Sequence, residues 1–444
     1  MRIAVAICVA SALAFAADKT VIVGPIELSL KRAVEIAIAP EGSAKVQLAL
    51  EAQRQAESRS DQARAALLPD LSGSFSYESM TRNLQAFGLR LNSPIPGIQI
   101  PTFVGPFNVL DARVSVTQSI FDLSSIRRYQ ASKVGVTSAK SDVSGTEEQV
   151  AAQVARAYLA AIRADADVDA VKADVALSEA LQKQAENLKE AGTGTGIEIT
   201  RARVQLASDR QRLLVAENAR RAAGLQLARA MALRLDAALV LTDKLGYVPV
   251  DSVTLEEAKA RAFKDRPDYL AQQERESTAR ISADATKLER LPSLAALADY
   301  GSSGTGLTSS LPTRTVGVSV RLPIFDGGRR DARRAESASQ YRAEHVKTND
   351  LKEQIELDVR LALDELHSAE DQVKVAREGL ALADNELTQA RRRYDAGVAI
   401  SLEVTDAQTR LARARDNQTA ALYNYNLARI DLAQAMGSVR RMVQ

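Results

Sequence analysis

Tryptophan is absent from this chain, cysteine occurs once, histidine twice, and aromatic residues make up 4% of its 444 residues. So few rings exclude a core built on large aromatic side chains; the hydrophobic fraction is 46% and Ala dominates it, which favours closely spaced helices. His345 and His367 lack ligand-spaced partners, which argues against a metal centre, and histidine this scarce leaves little acid–base chemistry. The four Met beyond Met1 form no sulfur-rich track for soft metals. No nucleophile sits beside a base in a recognisable motif, so no enzyme, cofactor or metal is expected. With 58 basic against 56 acidic side chains, long-range attraction to nucleic acid is not indicated. No run of about 18 apolar residues occurs, which excludes an α-helical membrane span.

What is present begins with a cleavable secretory signal over residues 1–16: basic Arg2, an apolar stretch from Ile3 to Leu13, and small Ala14 and Ala16 around Phe15. The single cysteine, Cys8, leaves with it, so the mature chain forms no disulfide. Ala6-Ile7 before Cys8 does not make a lipoprotein site, and no lipid anchor is expected.

The second half repeats the first. Phe121-Asp122 recurs as Phe325-Asp326, Ala191-Gly192 as Ala396-Gly397, and Ala228-Arg229-Ala230-Met231 as Ala433-Gln434-Ala435-Met436, displaced by 204, 205 and 205 residues. Two copies of one long unit imply apolar faces buried against further copies. The expected division is a first repeat over 17–240 and a second over 241–444.

From Ile355, apolar residues advance by fours and threes through Val359, Ala362, Leu366, Ala369, Val373, Ala376, Leu380, Ala383, Leu387 and Ala390 to Tyr394. Val150, Val154, Ala157, Ala161, Ala164, Val168, Val171 and Val175 do the same in the first half. A 3.5-residue period predicts supercoiled helices. Asp122 and Asp326 are placed as N-caps, and Gly192 and Gly397 as left-handed C-terminal residues. A helix over 123–191 is a rod of roughly 100 Å. Return helices over about 198–236 and 402–436 complete hairpins spanning about 123–236 and 327–436. Earlier helices are expected over 28–66 and 254–289, ending at Leu68-Pro69 and Leu291-Pro292.

Period-two alternation then predicts four strands, about 71–81, 109–121, 293–301 and 314–325. Leu71, Gly73, Phe75 and Tyr77 interleave with Ser72, Ser74, Ser76 and Glu78, and Val316, Val318, Val320 and Leu322 with Thr315, Gly317, Ser319 and Arg321. Loops over 83–108 and 301–313 are rich in Pro, Gly and Ser. Soluble strands packed on a core would alternate alike. In lipid, four strands cannot close a barrel, so strands from other subunits would have to complete it; three subunits would give twelve.

Leu68-Pro69-Asp70-Leu71 and Leu291-Pro292-Ser293-Leu294, with Ser119-Ile120-Phe121-Asp122 and Pro323-Ile324-Phe325-Asp326-Gly327-Gly328, resemble the helix-to-strand and strand-to-helix junctions of the TolC-type outer membrane efflux proteins. Tyr394-Asp395-Ala396-Gly397-Val398-Ala399 is similar to that family's helix tip. The resemblance covers essentially the whole mature chain. It implies a mainly α fold with a transmembrane β part: a duplicated unit of long coiled-coil helical hairpins plus four β-strands, trimerising into a 12-stranded β-barrel continued by an α-helical barrel. It also implies a homotrimer in the Gram-negative outer membrane, in contact with its lipid and extending into the periplasm. The implied partners are a periplasmic adaptor (membrane fusion) protein and an inner-membrane transporter.

At the periplasmic entrance the matching residues are Glu198, Glu403, Asp406 and Tyr394, so three subunits would set nine carboxylates around one axis, attracting cations. Arg201 stands where the second half has Asp406, and Ala399 where some relatives carry a basic residue. Acidic residues early in a helix also favour its dipole irrespective of any pore. The tip loops over 191–197 and 395–401, with Gly192, Thr193, Gly194, Gly397, Val398 and Ala399, are expected to dock the adaptor. Gly192-Thr193-Gly194-Thr195-Gly196 is no phosphate loop, since Ile197 follows and no strand precedes it. The expected function is the passive exit duct of a tripartite efflux pump. The alternatives are the outer membrane component of type I polypeptide secretion and a periplasmic coiled-coil scaffold without a pore.

Overall fold

The computed structural model describes residues 26–87, 103–192, 194–249 and 253–443. The secretory signal, residues 88–102 of the expected loop and Thr193 lie outside them. In chain order the elements are β1 (Ile26–Leu28), α1 (Leu30–Ile38), α2 (Ala44–Ala65), β2 (Asp70–Asn83), β3 (Phe103–Phe121), α3 (Leu123–Glu190), α4 (Gly196–Ala230), β4 (Leu239–Leu241), α5 (Leu255–Asp265), α6 (Pro267–Leu288), β5 (Ser293–Gly304), β6 (Leu311–Arg321), α7 (Arg329–Asp395), α8 (Ser401–Ala435) and α9 (Val439–Val443).

Two helices that the periodicity ran together are each broken by proline. Ala39 ends α1 in an extended conformation before Pro40, and Ser43 caps α2 by accepting from the Lys45 amide at 3.2 Å. Arg266 is extended between α5 and α6, and Pro267 takes the first position of α6, where its missing N–H is no loss. Asp122 does cap α3, accepting from the Ser124 and Ser125 amides at 3.0 and 3.2 Å. Asp326 does not cap α7. Gly327 and Gly328 follow with φ of +68 and +85, Gly328 becomes the cap, and the Asp326 carboxylate instead accepts from Arg330 Nε at 2.7 Å.

The four long strands form one antiparallel sheet in the order β2-β3-β5-β6. Residues 302–304, 311–313 and 103–108, expected as loop, belong to its strands, and β2 and β3 run on past the β5–β6 turn. Direct partners share a face. Leu71 pairs with Val116, Val116 with Ala298 and Ala298 with Val316, which makes one face apolar. Ser74, Arg113, Gly301 and Thr313 align on the other face. There Arg113 reaches Asp111 and Thr313 at 3.2 Å each and also bonds Asp299. Neither face is covered: Phe75 and Val316 on the apolar face are 68% and 80% exposed, and Ser74 and Thr315 on the polar face are exposed as well. Among the described residues the outer edges of β2 and β6 have no partner strand.

The helices form the other layer. α3, 68 residues long, packs against α2, α4, α6 and α8, and α7, 67 residues long, packs against α5, α6 and α8. At about 1.5 Å per residue each spans roughly 100 Å. Ile355, Val359, Ala369 and Val373 on the α7 seam are buried, as are Val150, Val154, Ala161 and Val168 on α3. Fully burying such a Val or Ile contributes about 2 kcal/mol. Midway along the rods β1 and β4 pair in parallel, and the buried Tyr158 hydroxyl lies 2.8 Å from both the Leu28 carbonyl and the Asp243 carboxylate. Among the described residues no helix is long and apolar enough to cross a membrane.

Candidate functional site at the helical tips

Both long helices end at left-handed glycines, Gly192 with φ +77 and Gly397 with φ +71, conformations that strain any residue with a Cβ. The Val398 amide closes the second tip on the Arg393 carbonyl at 3.0 Å. At the first tip the Gly194 amide bonds the Leu188 carbonyl at 2.9 Å; a Cβ on Gly194 would lie 2.8 Å from the Lys189 nitrogen, so only glycine fits. Val398 is 68% exposed and Ala399 is half-buried. Ile197, Ile400 and Leu402 stand exposed beside them. Ile197 and Ile400 lie within the two expected tip loops, 191–197 and 395–401, and Leu402 lies in the first turn of α8, just after the second.

The acidic residues have distinct local roles. Glu198 accepts from the Thr195 amide at 3.0 Å, a reciprocal cap on α4. Glu403 pairs with Arg393 at 3.2 Å. Asp406 is exposed and makes no ion pair or hydrogen bond among the described residues. Tyr394 and Glu198 line one small cavity between the hairpins, together with Arg201, Gln205 and Ser401. Burial there, reinforced by the charges of Glu198 and Asp395, pushes the Tyr394 hydroxyl above the ordinary tyrosine value.

Each hairpin is clasped by its own ion pairs. Glu186–Arg203 at 3.0 Å and Glu179–Arg210 at 2.9 Å join α3 to α4, and Glu386–Arg410 joins α7 to α8. Fewer contacts join hairpin to hairpin. Gln184 Nε2 donates to Asp395 Oδ1 at 2.7 Å near the tips. A polar layer lies about 24 Å above, counting from Asp174 to the end of α3. In it Arg415 of α8 donates to Asp174 of α3 at 3.0 Å, and Arg212 of α4 lies 3.7 Å from Asp416 of α8. Ser178 donates to Asp209 at 2.6 Å, and Gln205 donates to both Asp209 oxygens. Burial raises the Asp174 carboxyl above its ordinary value, against the opposing pull of Arg415 and Arg212. Below this layer the buried apolar cluster belongs to α7 and α8, from Ala383 to Leu411, with α3 adding only the half-buried Leu177 and Leu181. The first hairpin is therefore held to the second largely by polar links over its last turns.

Comparison with known proteins places this geometry. The sequence profile of the outer membrane efflux proteins matches residues 38–233 and 260–438. The outer membrane protein TolC of Vibrio cholerae is 21% identical over 339 residues, covering 75% of this chain and 77% of that protein. The alkaline protease secretion protein AprF of Pseudomonas aeruginosa is 21% identical over 320 residues, covering 70% and 66%. Among solved structures, the CmeC outer membrane channel of Campylobacter jejuni superposes with a TM-score of 0.78 at 18% identity, covering 92% of this chain and 85% of that one. The outer membrane protein VceC of Vibrio cholerae superposes at 0.76 and 17% identity, covering 92% and 96%. The sheet without a core, the paired rods and the glycine-ended tips are thus the fold of those channels, and the chain belongs to the outer membrane efflux protein family.

Proposed function

We propose that three copies of this chain form an outer membrane exit duct, the passive final segment of a tripartite pump supplied by a periplasmic adaptor and an inner-membrane transporter. The observation that carries this reading is the sheet: four strands, apolar on one face and polar on the other, uncovered on both, with both edges unpaired among the described residues. Exposed valines are costly in water and unpaired edges are costlier still in lipid, and both costs are removed when neighbouring copies close the sheet into a barrel with its apolar face outward. Twelve strands from three copies accomplish that. The polar face, with Arg113, Asp111 and Asp299, then lines the lumen, and the rods continue it as a tunnel across the periplasm.

At the far end, Glu198, Glu403, Asp406 and Tyr394 line the entrance. The apolar tips, Val398 and Ala399 with Ile197, Ile400 and Leu402, meet the adaptor around Gly192, Thr193, Gly194 and Gly397. The similarity to AprF keeps a second cargo class in view, polypeptide secretion through the same duct. A scaffold without a pore has no use for an uncovered two-faced sheet.

The test is reconstitution. Detergent-extracted protein from outer membranes is expected to run as a heat-resistant trimer and to open discrete conductances in planar bilayers. Extraction by buffer alone, as a monomer without conductance, would overturn the duct. Cells lacking the protein that accumulate small toxic compounds, with unchanged export of proteins, would assign drug efflux over polypeptide secretion.

A further inference from the structure

A groove of about 470 Å³ lies midway along the rods, where α5, α8 and α9 meet above α7. Among the described residues its walls carry Arg261, Lys264, Arg429 and Arg441 against a single carboxylate, Asp265, which pairs with Arg441 at 3.0 Å. Three cations are left over. Neither Arg261 nor Lys264 has an ion-pair partner among the described residues, and both are exposed. Arg429 is half-buried, donates through Nη1 to Asn426 at 3.0 Å, and leaves its Nε shielded from solvent with no acceptor. A guanidinium fork with free donors is matched by a carboxylate. Other arginines of these helices have one: Arg440 meets Glu147, and Arg415 meets Asp174.

The floor is apolar, with Leu366, Leu432, Met436 and Met442. Methionine adapts to varied side chains, and a bare anion would leave this floor uncovered. Leu366 lies 37 residues into α7 from Arg329, so the groove is about 55 Å from the strand end of the rod. That is several screening lengths from any lipid headgroup, which removes a membrane surface as the occupant.

We infer that this groove docks an acidic, partly apolar segment of a partner polypeptide, its carboxylates on Arg261, Lys264 and Arg429 and its apolar side chains on Leu432, Met436 and Met442. The site is distant from the tips and independent of adaptor docking there.

The experiment uses the full-length assembled protein in detergent, with a fluorescein-labelled peptide of alternating Glu and Leu, a Gln/Leu control peptide, and inorganic phosphate as competitor. Fluorescence anisotropy is expected to show salt-sensitive binding of the acidic peptide alone. Binding should weaken about tenfold in R429Q and in the doubly substituted R261Q/K264Q, whose replaced side chains are exposed and leave assembly intact on native gels. Equal binding by wild type and both variants would overturn the proposal, as would complete displacement by phosphate, which marks a site for simple anions. A Lys264→Cys variant that maleimide labels in the monomer but not in the assembled protein would overturn it too, because a second copy then covers the groove.

Discussion

Arg415 and Asp174 meet at 3.0 Å across the two hairpins of one protomer, in a polar layer that also holds Arg212, Asp416, Ser178 and Asp209. The pair is unequal: burial dominates Asp174 and lifts its carboxyl above the ordinary value even with Arg415 and Arg212 beside it. Removing the cation should therefore cost more than neutralising the acid. Arg415→Gln is expected to lower the thermal stability of the assembled protein by an amount corresponding to about 1–3 kcal/mol, and Asp174→Asn by much less. Melting curves at neutral pH that rank Asp174→Asn as the weaker variant would refute this.

The same shift fixes a pH dependence. A carboxyl whose folded pKa is raised contributes its full stabilisation below the ordinary Asp value of about 3.9, and loses it as pH rises through the raised value. Wild-type protein should thus lose a stability increment on going from mildly acidic to neutral pH that Asp174→Asn lacks. Superimposable melting temperature profiles across that range would count against the assignment.

Gln184 and Asp395 are the hairpin-to-hairpin hydrogen bond nearest the tips, at 2.7 Å. If the tips part to open the entrance, Gln184→Ala removes about 1 kcal/mol of closed-state stabilisation and raises the open population roughly fivefold. Single-channel recordings should show higher mean conductance. A closed fraction indistinguishable from wild type would exclude this bond as a restraint.

Asp406 is exposed and unpaired among the described residues, and Glu403 is held by Arg393. Asp406→Ala should reduce cation selectivity more than Glu403→Ala, because a paired carboxylate presents less field to a passing ion. Reversal potentials under a salt gradient measure this. Unchanged selectivity in both variants would remove the acidic entrance.

Val318 and Ser319 are neighbours on β6 facing opposite sides of the sheet, and Val318 is 65% exposed. An arginine at Val318 should cost about 2–4 kcal/mol if that face meets lipid, abolishing recovery from the outer membrane fraction. Ser319→Arg, on the polar face, should assemble and alter conductance. Equal recovery of the two variants would place lipid on neither face.

The repeat, the rods and their ends were legible because each rests on chemistry within a few residues. The spacing from Ile355 to Ala390 buries Ile355, Val359 and Leu387, Asp122 caps α3, and Gly192 and Gly397 take positive φ. Pro40 and Pro267 break the helices expected over 28–66 and 254–289 by the same local chemistry with which Pro69 and Pro292 end them. Asp326 failed as a cap because Gly328 competes for the same position.

By itself, then, the sequence determined the duplicated plan of two long hairpins and two strand pairs, since helical period, strand period and turn residues act over short distances. Tertiary structure alone decided which hairpin faces touch, that Asp174 and Arg415 would meet 241 residues apart in sequence, and that β1 and β4 would pair. It also gathered the cations of α5, α8 and α9 into one groove. Such contacts depend on where whole rods cross, and no local propensity encodes that.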